Sequence, residues 1–115
     1  MPRAAQPVAS RRPRLSPPAQ SNPEAATALL ARVAAASAGD GTRRDAERAL
    51  ERLQTLAQAA LAAAMSPQER HRVARALDGR RVDVHERLRD QAARGSVRVL
   101  AQSLELARCI SRLTG

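Results

Sequence analysis

The spacing of apolar residues between Thr42 and Ala64 constrains the fold of this chain more than any other feature. Leucine and alanine recur there at intervals of three and four residues, which places their side chains on one face of an α-helix. The apolar positions are Ala46, Ala49, Leu50, Leu53, Ala57, Ala60, Leu61 and Ala64. Thr42 can cap the first turn and Asp45 can reach back to it. The sequence therefore predicts a long amphipathic helix that begins at Thr42.

A second helix is predicted just before this one. Asn22 can cap its first turn, and Pro23 suits the first helical position because the amide hydrogen that proline lacks has no partner there. Ser37 and Gly39 then indicate its end. The apolar face between these limits is formed by Ala26, Leu29, Leu30 and Val33.

Two more helices are predicted after Met65, where the long helix must turn. Ser66, followed by proline and then by Glu69, is a strong start signal for a short helix that ends at Gly79. Asp83 with Glu86 then indicates the start of a last helix, whose most apolar part reaches Leu113.

A small two-stranded ribbon is the competing prediction for the C-terminal part. Val82 and Val84 follow Gly79, and Val97 and Val99 follow Gly95, so that each pair resembles a short strand after a glycine. Three-residue patterns of this kind are weak strand signals. We therefore predict an all-α fold, a small three- or four-helix bundle or set of helical hairpins.

Residues 1–23 differ from the remainder in composition. They contain six of the seven prolines and four arginines but no acidic residue. Such a segment buries too little apolar surface to offset the entropy lost on ordering it. We predict a disordered, basic N-terminal arm over residues 1–23 and a single helical domain over residues 24–115. The domain is only mildly basic, with 16 arginines against 11 acidic residues.

Several functional classes are disfavoured by the residues that the chain lacks. The longest uncharged run is too short and too polar to span a bilayer, and no apolar stretch follows the basic N-terminus as a secretory signal requires. Cys109 is the only cysteine, and with His71 and His85 it forms no metal-ligand spacing. A buried thiol and two solvated surface histidines are the favoured interpretations. We predict a cytoplasmic, non-enzymatic protein without cofactor, metal or membrane association.

The last helix carries more apolar surface than one packing face needs, so either it completes the bundle of its own chain or one side binds another protein or a second copy. Its apolar residues divide into two sides. The side predicted to bind a partner contains Val99, Leu106, Ile110 and Leu113. The side predicted to close the core contains Leu100, Leu104 and Ala107. The partner side is predicted from its continuing to the end of the chain, where fewer helices remain to cover it.

Nucleic-acid binding is the alternative function. Arginines are concentrated around the third predicted helix, and the candidate phosphate contacts are Arg70, Arg75, Arg80 and Arg81. Acidic residues are interleaved with them at helical spacing, as on a solvated face, and the chain has no aromatic residue on which a base could stack. This interpretation therefore ranks second.

One stretch of the chain resembles the C-terminal half of flagellar anti-sigma factors. The residues that carry the resemblance are Leu50-Glu51-Arg52-Leu53-Gln54-Thr55-Leu56, the alanine stretch to Met65, Glu69-Arg70, Val73, Leu77, Gly79, Val82-Asp83 and Leu88. Arg80 or Arg81 stands where that family has an aromatic residue. The resemblance implies a small regulator that is largely disordered until bound and leaves the cell through the flagellar export channel.

Together these features predict a small bacterial regulator or adaptor. It would resemble an anti-sigma factor, or a chaperone or accessory protein of a type III-type export system.

Overall fold

The computed structural model describes residues 23–36, 40–89 and 91–115. These ranges contain helices and no strand, which confirms the predicted all-α class. Five helices are present in them: α1 Pro23–Ala35, α2 Arg43–Ala62, α3 Pro67–Glu86, α4 Gln91–Arg94 and α5 Val97–Thr114. The predictions for the disordered arm, for the Asn22 cap and for the stop at Ser37 and Gly39 fall outside the described residues, apart from Pro23, which begins α1.

The predicted capping residues of α2 and α3 are confirmed. The Thr42 hydroxyl accepts a hydrogen bond from the Asp45 amide at 3.2 Å. The Asp45 carboxylate accepts from the amide of Asp40 rather than from that of Thr42. At α3, the Ser66 hydroxyl accepts from the Glu69 amide while the Glu69 carboxylate accepts from the Ser66 amide. Each helix start thus satisfies amide groups that the helix itself leaves unpaired.

α3 is much longer than the sequence predicted. It does not end at Gly79 but continues to Glu86, so Asp83 lies in its last turn instead of opening the next helix. The reason is packing: Val84 and the following Leu88 extend the buried face of Val73 and Leu77, which outweighs the cost of about 1 kcal/mol for a glycine inside a helix.

The alternative prediction of a two-stranded ribbon is wrong within the described ranges. Val82 and Val84 are part of α3, and Val97 and Val99 are part of α5. The start of α5 is set by Ser96, whose hydroxyl accepts a hydrogen bond from the Val99 amide. A capping serine rather than a turn between strands therefore follows Gly95.

The core lies where α5 packs against α2 and α3, and α1 covers α3 and part of α2. Its largest fully buried side chains are Leu50, Leu53, Leu77, Leu88, Leu106, Val33, Val73, Val84, Val99 and Cys109. Many of the remaining core residues are alanines, which bury little surface each. Eight of the 22 described core residues are alanines and so contribute little buried area.

Arg80 attaches α1 to α3. Its guanidinium donates hydrogen bonds to the carbonyl oxygens of Val33, at 3.2 Å, and Ala34, at 2.6 Å, in the last turn of α1. The Val33 carbonyl also accepts from the Ala36 amide at 3.2 Å. A positive charge is favourable at the C-terminal end of a helix, where carbonyl groups are left without intrahelical partners.

Candidate protein interface

One side of α5 is completely covered by the other helices. Along it, the intervals between buried residues alternate between four and three, as in a helix that packs against neighbours over its full length. The buried side consists of Val99, Ser103, Leu106, Ile110 and Leu113, with Cys109 beside it. These residues supply the contacts of α5 with α2 and α3.

A second apolar stripe on α5 is exposed. Val97 is 81% exposed, Leu100 49% and Leu104 55%. Their spacing of three and four residues aligns them on one line of the helix, turned away from the buried side. We call these three residues the docking stripe. Among the residues that the structure describes, Val82 of α3 is the one other large aliphatic side chain with this degree of exposure.

The predicted assignment of the two sides of α5 is therefore wrong. Val99, Leu106, Ile110 and Leu113, predicted to face a partner, are buried in the core of the chain, whereas Leu100 and Leu104, predicted to be buried, are exposed and Ala107 is half-buried. The physical reason is the length of each stripe. The buried side is apolar to the end of the helix, but the docking stripe is followed by Arg108 and Ser111. That difference in length can be seen in the sequence and favours the longer stripe as the core side, which the positions of α2 and α3 then decide.

A groove between α3 and the C-terminal half of α5 lies beyond the end of the docking stripe. Its volume is about 560 Å³, and Ala74, Ala107 and Ile110 provide apolar lining. Gly79 also lines it and faces open space, since no atom lies within 4 Å of where a Cβ would stand. Arg81 of α3 donates a hydrogen bond to Ser103 of α5, which sets the separation of the two helices at one end of the groove.

Arginines predominate around the stripe and groove. Arg75, Arg81 and Asp78 line the groove. On the opposite margin of the stripe, toward α2, lie Arg98, Arg108 and Arg112, with Glu105. Arg81 forms a close ion pair with Asp78 at 2.8 Å. The pairs Arg108–Glu105, at 3.9 Å, and Arg98–Glu47, at 3.8 Å, are long, and both arginine side chains are more than two-thirds exposed. Such pairs contribute little to stability and leave the guanidinium groups accessible.

The four arginines considered for nucleic-acid contact are not equivalent in the structure. Arg80 donates hydrogen bonds to the end of α1. Arg81 pairs with Asp78 and donates a hydrogen bond to Ser103. Arg70 and Arg75 are exposed, and neither forms an ion pair with another described residue. The predicted cluster therefore divides into two arginines with structural roles and two surface residues.

His85 was predicted to be a solvated surface residue, and the structure shows otherwise. Its Nε2 lies 2.7 Å from the Ser103 hydroxyl, which also accepts a hydrogen bond from Arg81 at 3.2 Å. Burial, followed by the positive charges of Arg81 and Arg94, lowers the pKa of His85. His71, by contrast, is exposed as predicted.

His85 and Ser103 lie within hydrogen-bonding distance, as the base and the hydroxyl of a nucleophilic dyad do, but their surroundings differ from those of such a dyad. Ser103 is only 5% exposed and is therefore closed to a substrate. Within residues 23–36, 40–89 and 91–115, no carboxylate forms a hydrogen bond with His85. The two side chains join α3 to α5.

Cys109 is buried, as predicted, at the contact of α5 with α2. Its sulfur accepts a hydrogen bond from the Gln54 side-chain amide at 3.1 Å. The described residues contain no group of three histidine, cysteine or acidic side chains placed to hold a metal ion. No helix in these ranges is both long enough and apolar enough to cross a bilayer. In comparisons with known proteins, no family model, curated protein or solved structure matched this chain.

Proposed function

We propose that this chain is a non-enzymatic helical module that binds another protein through the docking stripe of α5. The observation that carries the proposal is the exposure of Val97, Leu100 and Leu104 on one line of a well-formed helix. Single exposed aliphatic residues are ordinary on protein surfaces, but an aligned set at helical spacing is typical of a helix that packs against a partner.

The composition of the chain strengthens this argument. It contains 13 leucines, 7 valines and no aromatic residue, so large apolar side chains are scarce. Two of the leucines and one of the valines nevertheless lie in the docking stripe, where they add nothing to a core in which eight of the 22 described residues are alanine. Burying them against a partner would supply apolar contact that the chain alone does not make.

Within this proposal the chain acts as a small bacterial regulator or adaptor. Its resemblance to flagellar anti-sigma factors supports the regulatory role, and the basic, proline-rich sequence before α1 agrees with the exported members of that family. An accessory protein of a type III-type export system is the related possibility. In either role the chain works by occupying a surface of its partner.

The proposal is tested with a double variant, Leu100→Glu with Leu104→Glu. The tagged full-length chain is used to recover bound proteins from a bacterial extract, and each candidate is then used as bait to recover the chain. We expect the wild-type chain to recover a partner that the variant loses, because two carboxylates on the stripe prevent its burial.

The matched control is Ala59→Glu with Thr55→Glu, at exposed positions of α2 with the same four-residue spacing. It adds the same charge and should retain the partner. Both variants should unfold at the wild-type temperature, since all four positions are exposed. Recovery of the same proteins by both variants, or of nuclease-sensitive material alone, would contradict the proposal.

A further inference from the structure

We infer that the partner presents an acidic amphipathic helix to the docking stripe and the adjoining groove. This inference rests on the proposed function and specifies the chemistry of the partner. It follows from three properties of the surface, which are its shape, the sign of its charge and the charge of the rest of the chain.

The shape fits one helix. The docking stripe lies in the first half of α5, and the lining of the groove continues through Ala107 and Ile110 to Thr114. At about 1.5 Å per residue, the 17 steps from Val97 to Thr114 correspond to about 26 Å, the length of a helix of four to five turns. Because Gly79 leaves the α3 side of the groove open, a helix lying along α5 can also approach α3 there.

The charge at the edges selects an acidic partner. Arg108 and Arg112 lie on α5 on the side of the stripe away from α3. Arg98 lies farther toward α2, where it pairs with Glu47, and Arg75 lines the groove from α3. Arg98 and Arg108 are 74% and 68% exposed and are held only by long ion pairs. An amphipathic helix with aliphatic residues on one face and glutamates along both margins would bury the stripe and pair with these guanidinium groups.

The positive charge of these margins also disfavours two other occupants of the surface, a second copy of the chain and its own N-terminal sequence. A second copy docked through the same face would place the arginine margins of both copies together, because a twofold interface repeats each residue on both sides. The N-terminal sequence carries Arg3, Arg11, Arg12 and Arg14 and no acidic residue, so it has the wrong sign for this surface. An acidic helix of a different protein remains.

The test uses a defined probe, a synthetic helix of about 18 residues, long enough to match α5. It carries leucines at helical spacing, glutamates along both margins and one tryptophan. Since the chain contains no aromatic residue, tryptophan anisotropy reports on the peptide alone. The comparison peptide has lysine in place of every glutamate. We expect the acidic peptide to bind at least about tenfold more tightly in low salt, with a difference that decreases as salt is added.

Charge reversal locates the contact. The variant Arg108→Glu with Arg112→Glu should weaken binding of the acidic peptide several-fold and strengthen binding of the lysine peptide. The control, Arg44→Glu with Arg48→Glu, reverses two exposed arginines at the same spacing on the outer face of α2 and should change the affinity much less. Leu100→Glu with Leu104→Glu should abolish binding of the acidic peptide, and amide shifts caused by the peptide should centre on α5 and the facing side of α3.

The outcomes separate this inference from the proposed function. Equal affinity for the two peptides, equal effects of the two charge reversals, or no binding at about 1 mM acidic peptide, corresponding to less than about 4 kcal/mol, would overturn the inference. Loss of a cellular partner by the stripe variant would still uphold the proposed function. Concentration-dependent dimerisation blocked by the stripe variant would replace the acidic helix with a second copy, and tight duplex binding that ignores the stripe variant would overturn both.

Discussion

Gly41 and Gly79 differ in whether a larger residue could be accommodated at their positions. Gly41 has a φ of +88°, in the left-handed region, and a Cβ there would clash with the carbonyl oxygen of Arg87. Its own carbonyl accepts a hydrogen bond from the Arg89 amide at 3.0 Å, which holds the turn before α2 against the end of α3. Gly79 lies within α3 and faces open space. Only the first of these positions requires glycine.

We predict that Gly79→Ala raises the free energy of unfolding by about 0.5–1 kcal/mol, because alanine loses less backbone entropy in a helix. Gly41→Ala should lower it by at least about 1–3 kcal/mol, through backbone strain and the clash with Arg87. Urea unfolding followed by circular dichroism measures both variants against the wild type. A destabilised Gly79→Ala variant would indicate that α3 is broken at this residue in solution.

His85 makes stability depend on pH. Its pKa is lowered below the ordinary value of 6.5, mainly because it is partly buried and secondly because Arg81 and Arg94 are nearby. The unfolded chain therefore binds more protons than the folded chain between the lowered pKa and 6.5. The stability that neutral His85 contributes is fully present above 6.5 and is lost as the pH falls toward the lowered pKa.

We predict that the melting temperature falls as the pH is lowered from about 7.5 to about 5, the range in which histidine titrates. His85→Gln should reduce this fall, because glutamine takes up no proton. His71→Gln, which changes an exposed histidine of the same helix, is the control and should behave like the wild type. Identical pH profiles for all three proteins would show that His85 does not couple folding to protonation.

At the scale of elements, the sequence predicts the helices well where a cap and a periodic face agree. Thr42 and Ser66 both start helices as predicted because each hydroxyl accepts from the amide three residues on, and at Ser66 the Glu69 carboxylate completes the cap. The predicted helix end at Gly79 is wrong because the local sequence does not distinguish a glycine inside a helix from a glycine that follows one. What distinguishes them is the packing of Val84 and Leu88, which depends on contacts distant in the sequence.

The candidate interface was found on the correct helix but on the wrong side of it. An excess of apolar residues on α5 is a local property that the sequence shows directly. Which side becomes core depends on where α2 and α3 lie, and both cover Leu106 rather than Leu104. The separation of the four candidate arginines into structural and surface residues likewise required the position of α1 beside Arg80.

We predict that Leu106→Ala lowers the free energy of unfolding by about 2–5 kcal/mol, because it leaves a cavity at a fully buried site. Leu104→Ala should change it by less than about 0.5 kcal/mol, because the side chain is exposed. The pair is matched in residue type, substitution and helix. Thermal and urea unfolding of the two variants compare them directly, and a larger effect at Leu104 would restore the opposite assignment of core and surface.

At the scale of the whole molecule, α5 closes the bundle. It contacts both α2 and α3, and it contributes Val99, Leu106 and Leu113 to the core. Without it, the faces of α2 and α3 that hold Leu53 and Leu77 would lose much of their cover. A core in which eight of the 22 described residues are alanine has little other apolar contact with which to compensate.

We predict that a chain ending at Arg89 loses most of its helical content, because α2 and α3 cannot bury their apolar faces against each other alone. A chain that lacks residues 1–21 should keep the helical content of the wild type per molecule, since the described core begins at Ala26. Circular dichroism of both truncated chains at equal molar concentration makes the comparison. Full helicity in the chain that ends at Arg89 would mean that α5 is an appended element.

The burial of Cys109 makes the rate of its alkylation a measure of local opening in this fold. A thiol enclosed between α5 and α2 reacts with an alkylating reagent only when that contact opens, and the chain has no second thiol to confuse the signal. The rate of alkylation therefore measures how often α5 separates from α2, without any label having to be introduced. A partner bound to the docking stripe should hold α5 in place and slow this reaction. Binding on the exposed side of α5 can therefore be detected at the Cys109 sulfur on its buried side.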